Sequence, residues 1–101
     1  MNNHIEQLLE ILFDPIGRID ERDDAAIYLA KYPSNEILEK LVIFASNSEE
    51  NQIILASVGE SIGEIMVALN KFDPSILGKL AATAKIETLG VISGKKPEWL
   101  R

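Results

Sequence analysis

The sequence predicts an all-α fold of about five helices, and three observations predict it. Apolar residues recur at spacings of three and four through most of the 101 residues, the period of amphipathic helices. Pro, Gly, Ser and Asn interrupt that pattern near 14–17, 33–34, 46–48 and 73–75, where turns are expected. The third observation is an internal echo. Leu29, Lys31 and Tyr32 recur as Leu69, Lys71 and Phe72, and Ile37, Leu38, Lys40, Leu41 and Ala45 recur as Ile76, Leu77, Lys79, Leu80 and Ala84.

The first helix is expected over about residues 3–13, with Ile5, Leu8, Leu9 and Leu12 on one stripe. Asp14-Pro15-Ile16-Gly17 ends it, because Pro cannot continue the hydrogen-bond ladder. The second, about 20–32, opens with acids that suit a helix N-terminus and stops before Pro33. Ala26 and Ala30 beside Leu29 make its apolar face narrow and allow close approach. Ser34 can cap a third helix, about 35–46, carrying Ile37, Leu38, Leu41, Val42 and Ala45.

The fourth helix, about 49–71, carries Ile54, Val58, Ile62, Ile65, Met66 and Leu69. Gly59 and Gly63 inside it each destabilise a helix by about 1 kcal/mol relative to Ala, which predicts tight packing or a kink. Asp73 or Ser75 opens the last helix, about 74–93, and Gly94 is its natural stop before Lys95-Lys96-Pro97. Trp99 and Leu100 are expected to tuck over the end of the domain, an exposed Trp99 being the alternative that would mark an interface. An echo at an offset of about 40 residues, built from helix pairs, points to a short right-handed α-solenoid. Residues 1–101 then form one domain: a capping helix and turn at 1–18, helix pairs at 19–48 and 49–94, and a tail at 95–101.

Charge is distributed unevenly. Residues 1–50 hold eleven acids and four bases, a net −7, whereas residues 51–101 hold five acids and six bases, a net +1. The first half would repel phosphate chains, so no nucleic-acid partner is expected, and it would attract a cationic protein. No uninterrupted apolar run reaches the ~18 residues of a membrane span, and Met1-Asn2-Asn3-His4 lacks the basic start of a secretory signal. Cys is absent, which fits a reduced, cytoplasmic chain.

Catalytic constellations are not evident. His4, the only His, lies before the first apolar stripe, where a lone His is far more often inert than catalytic; a His-x-x-x-His metal pair cannot be assembled, and no cofactor is expected. Glu60 and Glu64 share one helix face, as in di-metal bundles, but the Glu-x-x-His those bundles require is missing. A solvated or partner-facing acidic strip is the better reading.

Two stretches carry a family resemblance. Ala25-Ala26-Ile27-Tyr28-Leu29-Ala30 resembles the Ala-rich first helix of HEAT-like repeats, and Val58-Gly59-Glu60-Ser61-Ile62-Gly63-Glu64-Ile65 resembles the Ala-Leu-Gly-Glu-Ile-type segment that follows it. A small acidic HEAT-like domain is similar to immunity proteins of bacterial toxin systems, contact-dependent growth inhibition among them. That resemblance implies a non-catalytic protein that neutralises a cationic toxin domain, such as a basic nuclease. The alternative is a HEAT-like adaptor or scaffold subunit of a complex. Asp20, Glu21, Asp23, Asp24, Glu49, Glu50, Glu60 and Glu64 are the candidate partner-binding residues. Self-association is compatible with either reading, because an uncapped helix pair can stack on its copy.

Overall fold

Ser34, Asn51 and Asp73 each open a helix by taking over N–H groups that an α-helix leaves unpaired. The computed structural model describes residues 3–101, so Met1 and Asn2, the start of the expected capping segment, lie outside the described residues. Helix α1 spans Asn3–Phe13 and α2 spans Ile19–Leu29. Between them the Asp14 carboxylate accepts the Ile16 N–H at 3.1 Å, and the Gly17 N–H reaches the Asp14 carbonyl, closing a tight turn. Helix α3, Asn35–Ala45, is capped by Ser34, whose hydroxyl oxygen accepts the Ile37 N–H at 3.1 Å. Helix α4, Gln52–Leu69, is capped by Asn51 through the N–H groups of Ile53 and Ile54. It ends at Asn70, the one described non-glycine residue with a left-handed backbone (φ 51°).

The remaining segment departs from the expected single helix over 74–93. It forms two helices, α5 (Pro74–Lys79) and α6 (Ala82–Lys95), followed by a 3-10 helix at Pro97–Leu100. Leu80 and Ala81 are extended, with ψ of 141° and 152°. Leu80 is buried in the core, and the Ala81 N–H donates at 2.8 Å to the carbonyl of Ala45, the last residue of α3. One orphan carbonyl at the end of α3 thereby gains its donor. The described residues therefore hold six α-helices and no strand, which keeps the all-α class and raises the helix number. Gly94 lies inside α6 and does not stop it.

Contacts along the helices set their directions. His4 meets Tyr32 just before α3, and Phe13 meets Phe44 at the far end, so α1 and α3 run parallel. The Lys71 ammonium, just past α4, donates to Asn35 at the start of α3, so α4 runs opposite to α3. Arg22 meets Glu50 and Ala26 meets Ser61, which aligns α2 with α4. Gly59 faces Ala84, Gly63 faces Val91, and Glu64 meets Lys95, which aligns α6 with α4. Helices α1, α3 and α5 form one layer and α2, α4 and α6 the other. The shortest dimension of the molecule, 19 Å, is about two helix diameters.

Helix α4 is the centre. Ile54, Leu55, Val58, Ile62, Ile65 and Met66 are all fully buried, against Leu12, Leu29 and Leu41 from the neighbouring helices. It is also, at 18 residues and a mean hydropathy of 1.5, long and apolar enough to cross a membrane, although no uninterrupted apolar run marks it in the sequence. Here its apolar face is packed on α2, α3 and α6, and Glu60 lies on its exposed side. Two hydroxyls bind it further. Ser61 donates to the Ala26 carbonyl at 2.7 Å, and Thr88 of α6 donates to the Gly59 carbonyl at 2.6 Å. The closest approach is between α4 and α6. A Cβ at Gly59 would lie 2.7 Å from the Ala84 Cα and overlap its carbonyl, and one at Gly63 would lie 2.8 Å from the Val91 Cβ. The two glycines that weaken α4 as an isolated helix are the ones that let α6 reach it.

Replacing Gly59 by Ala is expected to lower stability by about 2 kcal/mol or more, because backbone on α6 must move. Gly90→Ala, in the same α4–α6 pair but with no atom within 4 Å of its new Cβ, should instead stabilise by about 0.5–1 kcal/mol. Urea unfolding of the two variants followed by circular dichroism checks both signs. A second expectation concerns Asp73, the cap of α5. The Ser75 hydroxyl, and then the Ser75 N–H, hold its carboxyl below the usual carboxylate value, with Lys79 and Lys71 adding to the effect. A lowered folded-state value gives stabilisation that is present above the ordinary carboxylate range and lost as pH falls through the folded value. Ser75→Ala should shift the Asp73 titration upward, read by carboxyl carbon NMR.

Candidate functional site

The eight acids singled out from the sequence fall into three groups. Asp20, Glu21, Asp23 and Asp24 occupy the first turns of α2, Glu49 and Glu50 the loop before α4, and Glu60 and Glu64 the outer face of α4. The first two groups are drawn together by Arg22. Its side chain is buried, its Nε donates to the Leu12 carbonyl at 3.0 Å, and its terminal nitrogen pairs with Glu50 at 3.3 Å. The guanidinium also lies 5.8 Å from the centre of the Phe44 ring. One side chain thus links the end of α1, the loop before α4 and the core of α3.

These acids are not equally free. Asp20 pairs with Arg18 at 2.7 Å, and Glu21 approaches the same Arg18 at 3.9 Å. Glu64 accepts the Lys95 ammonium at 2.7 Å. Asp23 is half-buried, and one of its carboxylate oxygens is shielded without a hydrogen-bond donor among the described residues. Asp24, Glu49 and Glu60 are exposed and form no ion pair among the described residues. An anionic surface therefore remains at the N-terminal end of α2 and along α4. Its strength comes from fewer residues than the sequence count suggests.

The outer face of α4 has a defined composition. Ile53, Ser57, Glu60 and Glu64 recur at helical spacing, and Ile53 is 61% exposed. The strip lies between the side bonded to α2 through Ser61 and the side pressed on α6 through Gly59 and Gly63. Trp99 takes no part in it. Its ring stacks on Phe72 with centroids 5.3 Å apart and planes 16° from parallel, so it covers the end of the α4–α5 turn.

The sequence reading missed two things on the α1/α3/α5 layer. One groove of about 610 Å³ lies between α1 and α3, and another of about 650 Å³ lies between α3 and α5. Ile43, 65% exposed, stands on the ridge between them. It was legible as an apolar residue off the main stripe of its helix, but only the spacing of the three helices turns it into a wall of two grooves. Among the described residues no three His, Cys, Asp or Glu side chains converge as a metal site. No protein-family model, curated protein or solved structure matches this chain.

Arg22 and Glu50 give a direct test of the link between the acidic groups. Glu50→Ala leaves a buried guanidinium with only the Leu12 carbonyl and should lower stability by about 1–2 kcal/mol. Glu60→Gln, at an exposed position without an ion pair among the described residues, should change it by less than about 0.5 kcal/mol. Denaturant titration of the two variants beside the parent decides it.

Proposed function

We propose that this chain is a non-catalytic, HEAT-like protein-binding domain that neutralises a cationic protein, as an immunity protein neutralises its toxin. The carrying observation is the set of exposed carboxylates on α2, on α4 and in the loop before it that form no ion pair among the described residues: Asp24, Glu49 and Glu60. Stacking in two layers, with three helices in each, supports the repeat reading. It also supports a role in binding, because such stacks present rigid, extended faces.

The partner expected from this charge is a domain whose own site is basic, a nuclease that binds phosphate being the natural class. Long-range attraction between such surfaces raises the association rate, and desolvated contacts at the centre of the interface then set the lifetime. Ile53, exposed beside Glu60 on α4, is the apolar residue placed to supply such a contact. Asp20 and Glu21 contribute less, because Arg18 already faces them. Binding of this kind would act in the cytoplasm, where the toxin's substrate lies, and would need no cofactor.

Affinity capture from the host, followed by stopped-flow association, tests this. The captured protein should be basic, and its association rate should fall steeply with added salt. Reversing Asp24, Glu49 and Glu60 to Lys together should slow association about tenfold or more at low ionic strength while leaving the melting temperature unchanged. An association rate indifferent to both salt and charge reversal would sink the proposal.

A further inference from the structure

The groove between α1 and α3 carries information that the α2 acids do not. Its α1 wall is Glu6, Leu9, Glu10 and Phe13, four residues on one helix face, and its α3 wall is Glu36, Lys40 and Ile43. Because α1 and α3 run parallel, like ends meet. Glu6 lies with Glu36 at the end marked by His4 and Tyr32, and Phe13 lies with Ile43 at the end marked by Phe44. The groove is therefore polar along its length, acidic at one end and apolar at the other. From Glu6 to Phe13 it runs about 10 Å, two helical turns.

Several of these side chains lack an internal reason to be as they are. Glu6 and Glu36 stand in first helical turns, where the helix dipole favours them. Glu10 stands in the last turn of α1, where the dipole disfavours a negative charge, and forms no ion pair among the described residues. Lys40, the one base on either wall, forms none among them either. Phe13 and Ile43 stay 41% and 65% exposed at the other end. The neighbouring groove between α3 and α5 differs, since Glu39 and Asp73 there are balanced by Lys71 and Lys79.

We propose that the α1/α3 groove is a docking site for a basic amphipathic helix of a protein partner. Its apolar side chains would pack between Phe13 and Ile43, and its Lys or Arg side chains, one to two turns away, would meet Glu6, Glu10 and Glu36. Charge complementarity selects this occupant: an acidic segment would face three carboxylates, and a wholly apolar one would strip them of water without replacing it. The site uses a different pair of helices from the α2 and α4 acids and stands whether or not those acids bind a toxin.

The test uses the full chain and two synthetic helix-forming peptides. One joins a Leu-rich turn to a Lys/Arg-rich turn, and the other replaces each base by Glu. Nitrogen-15 NMR titration should show the basic peptide shifting amides of residues 5–13 and 36–43, with the acidic peptide shifting none. Fluorescence anisotropy should show Ile43→Asp and Glu10→Lys each weakening the basic peptide about tenfold or more. Asp24→Lys, on α2, should leave its affinity within about twofold. Ile43 and Glu10 are exposed, so their variants should fold, which melting curves check. No binding of the basic peptide, equal binding of the acidic one, or an equal loss with Asp24→Lys overturns the proposal. Light scattering that shows a dimer of this chain dissolved by Ile43→Asp would assign the groove to a second copy and overturn it as well.

Discussion

The close approach of α6 to α4 at Gly59 and Gly63 is the constraint on which the rest of the structure depends. Without side chains at these positions, Ala84, Thr88 and Val91 come down onto the backbone of α4, and the Thr88 hydroxyl donates to a main-chain carbonyl there. That contact fixes the axis of α6. The preceding helix, α5, lies instead with α3, alongside Val42 and Ile43. One straight helix cannot satisfy both directions, so the chain turns at Leu80 and Ala81. The Ala81 N–H, lost to a helical ladder, is recovered by the Ala45 carbonyl. Leu80, extended rather than helical, then fills the core beneath the turn.

Arg22 plays the corresponding part at the other end. A buried guanidinium is expensive to desolvate and stabilises a structure only where its donors are matched. Here they are matched by a carbonyl at the end of α1 and a carboxylate before α4. Each partner is a group that would otherwise be awkward: Leu12 lies among the last carbonyls of its helix, and Glu50 lies in a loop already rich in negative charge. The net charge of the first half thus has a structural component. Part of it organises the fold, and only the remainder is offered to solvent.

This explains how much was legible. The all-α class, the cap at Ser34, the choice of Asp73 or Ser75 as the next cap and the core stripe of α4 followed from spacing and turn chemistry, because those signals are local. The echo of 29–45 in 69–84 also has a local basis. It marks the two junctions where a helix of one layer ends, turns at Tyr32 or Phe72, and hands over to the next helix of the other layer. The division of the last helix was not legible, since Leu80-Ala81-Ala82-Thr83-Ala84 contains no Gly or Pro and reads as continuous helix. Nor was the pairing of Arg22 with Glu50, 28 residues apart, although Arg22 shares a helical stripe with Ala26 and Leu29. Both depend on what other helices present, and a single segment does not encode that.

The two layers differ in a way that bears on function. Helices α2, α4 and α6 are pinned to one another by glycine contact, two hydroxyl-to-carbonyl bonds and the Glu64–Lys95 pair. Helices α1 and α3 lean on that layer more than on each other, α5 lies against α3, and the spaces between the three are the two grooves. The proposed docking groove would need a rigid base and unfilled space above it, and the α2/α4/α6 layer is such a base. If the α1/α3 groove binds as proposed, Gly59 and Gly63 would matter to it without touching the occupant. By locking one layer, they leave Phe13 and Ile43 at fixed positions on the other with part of their apolar surface still unpaired.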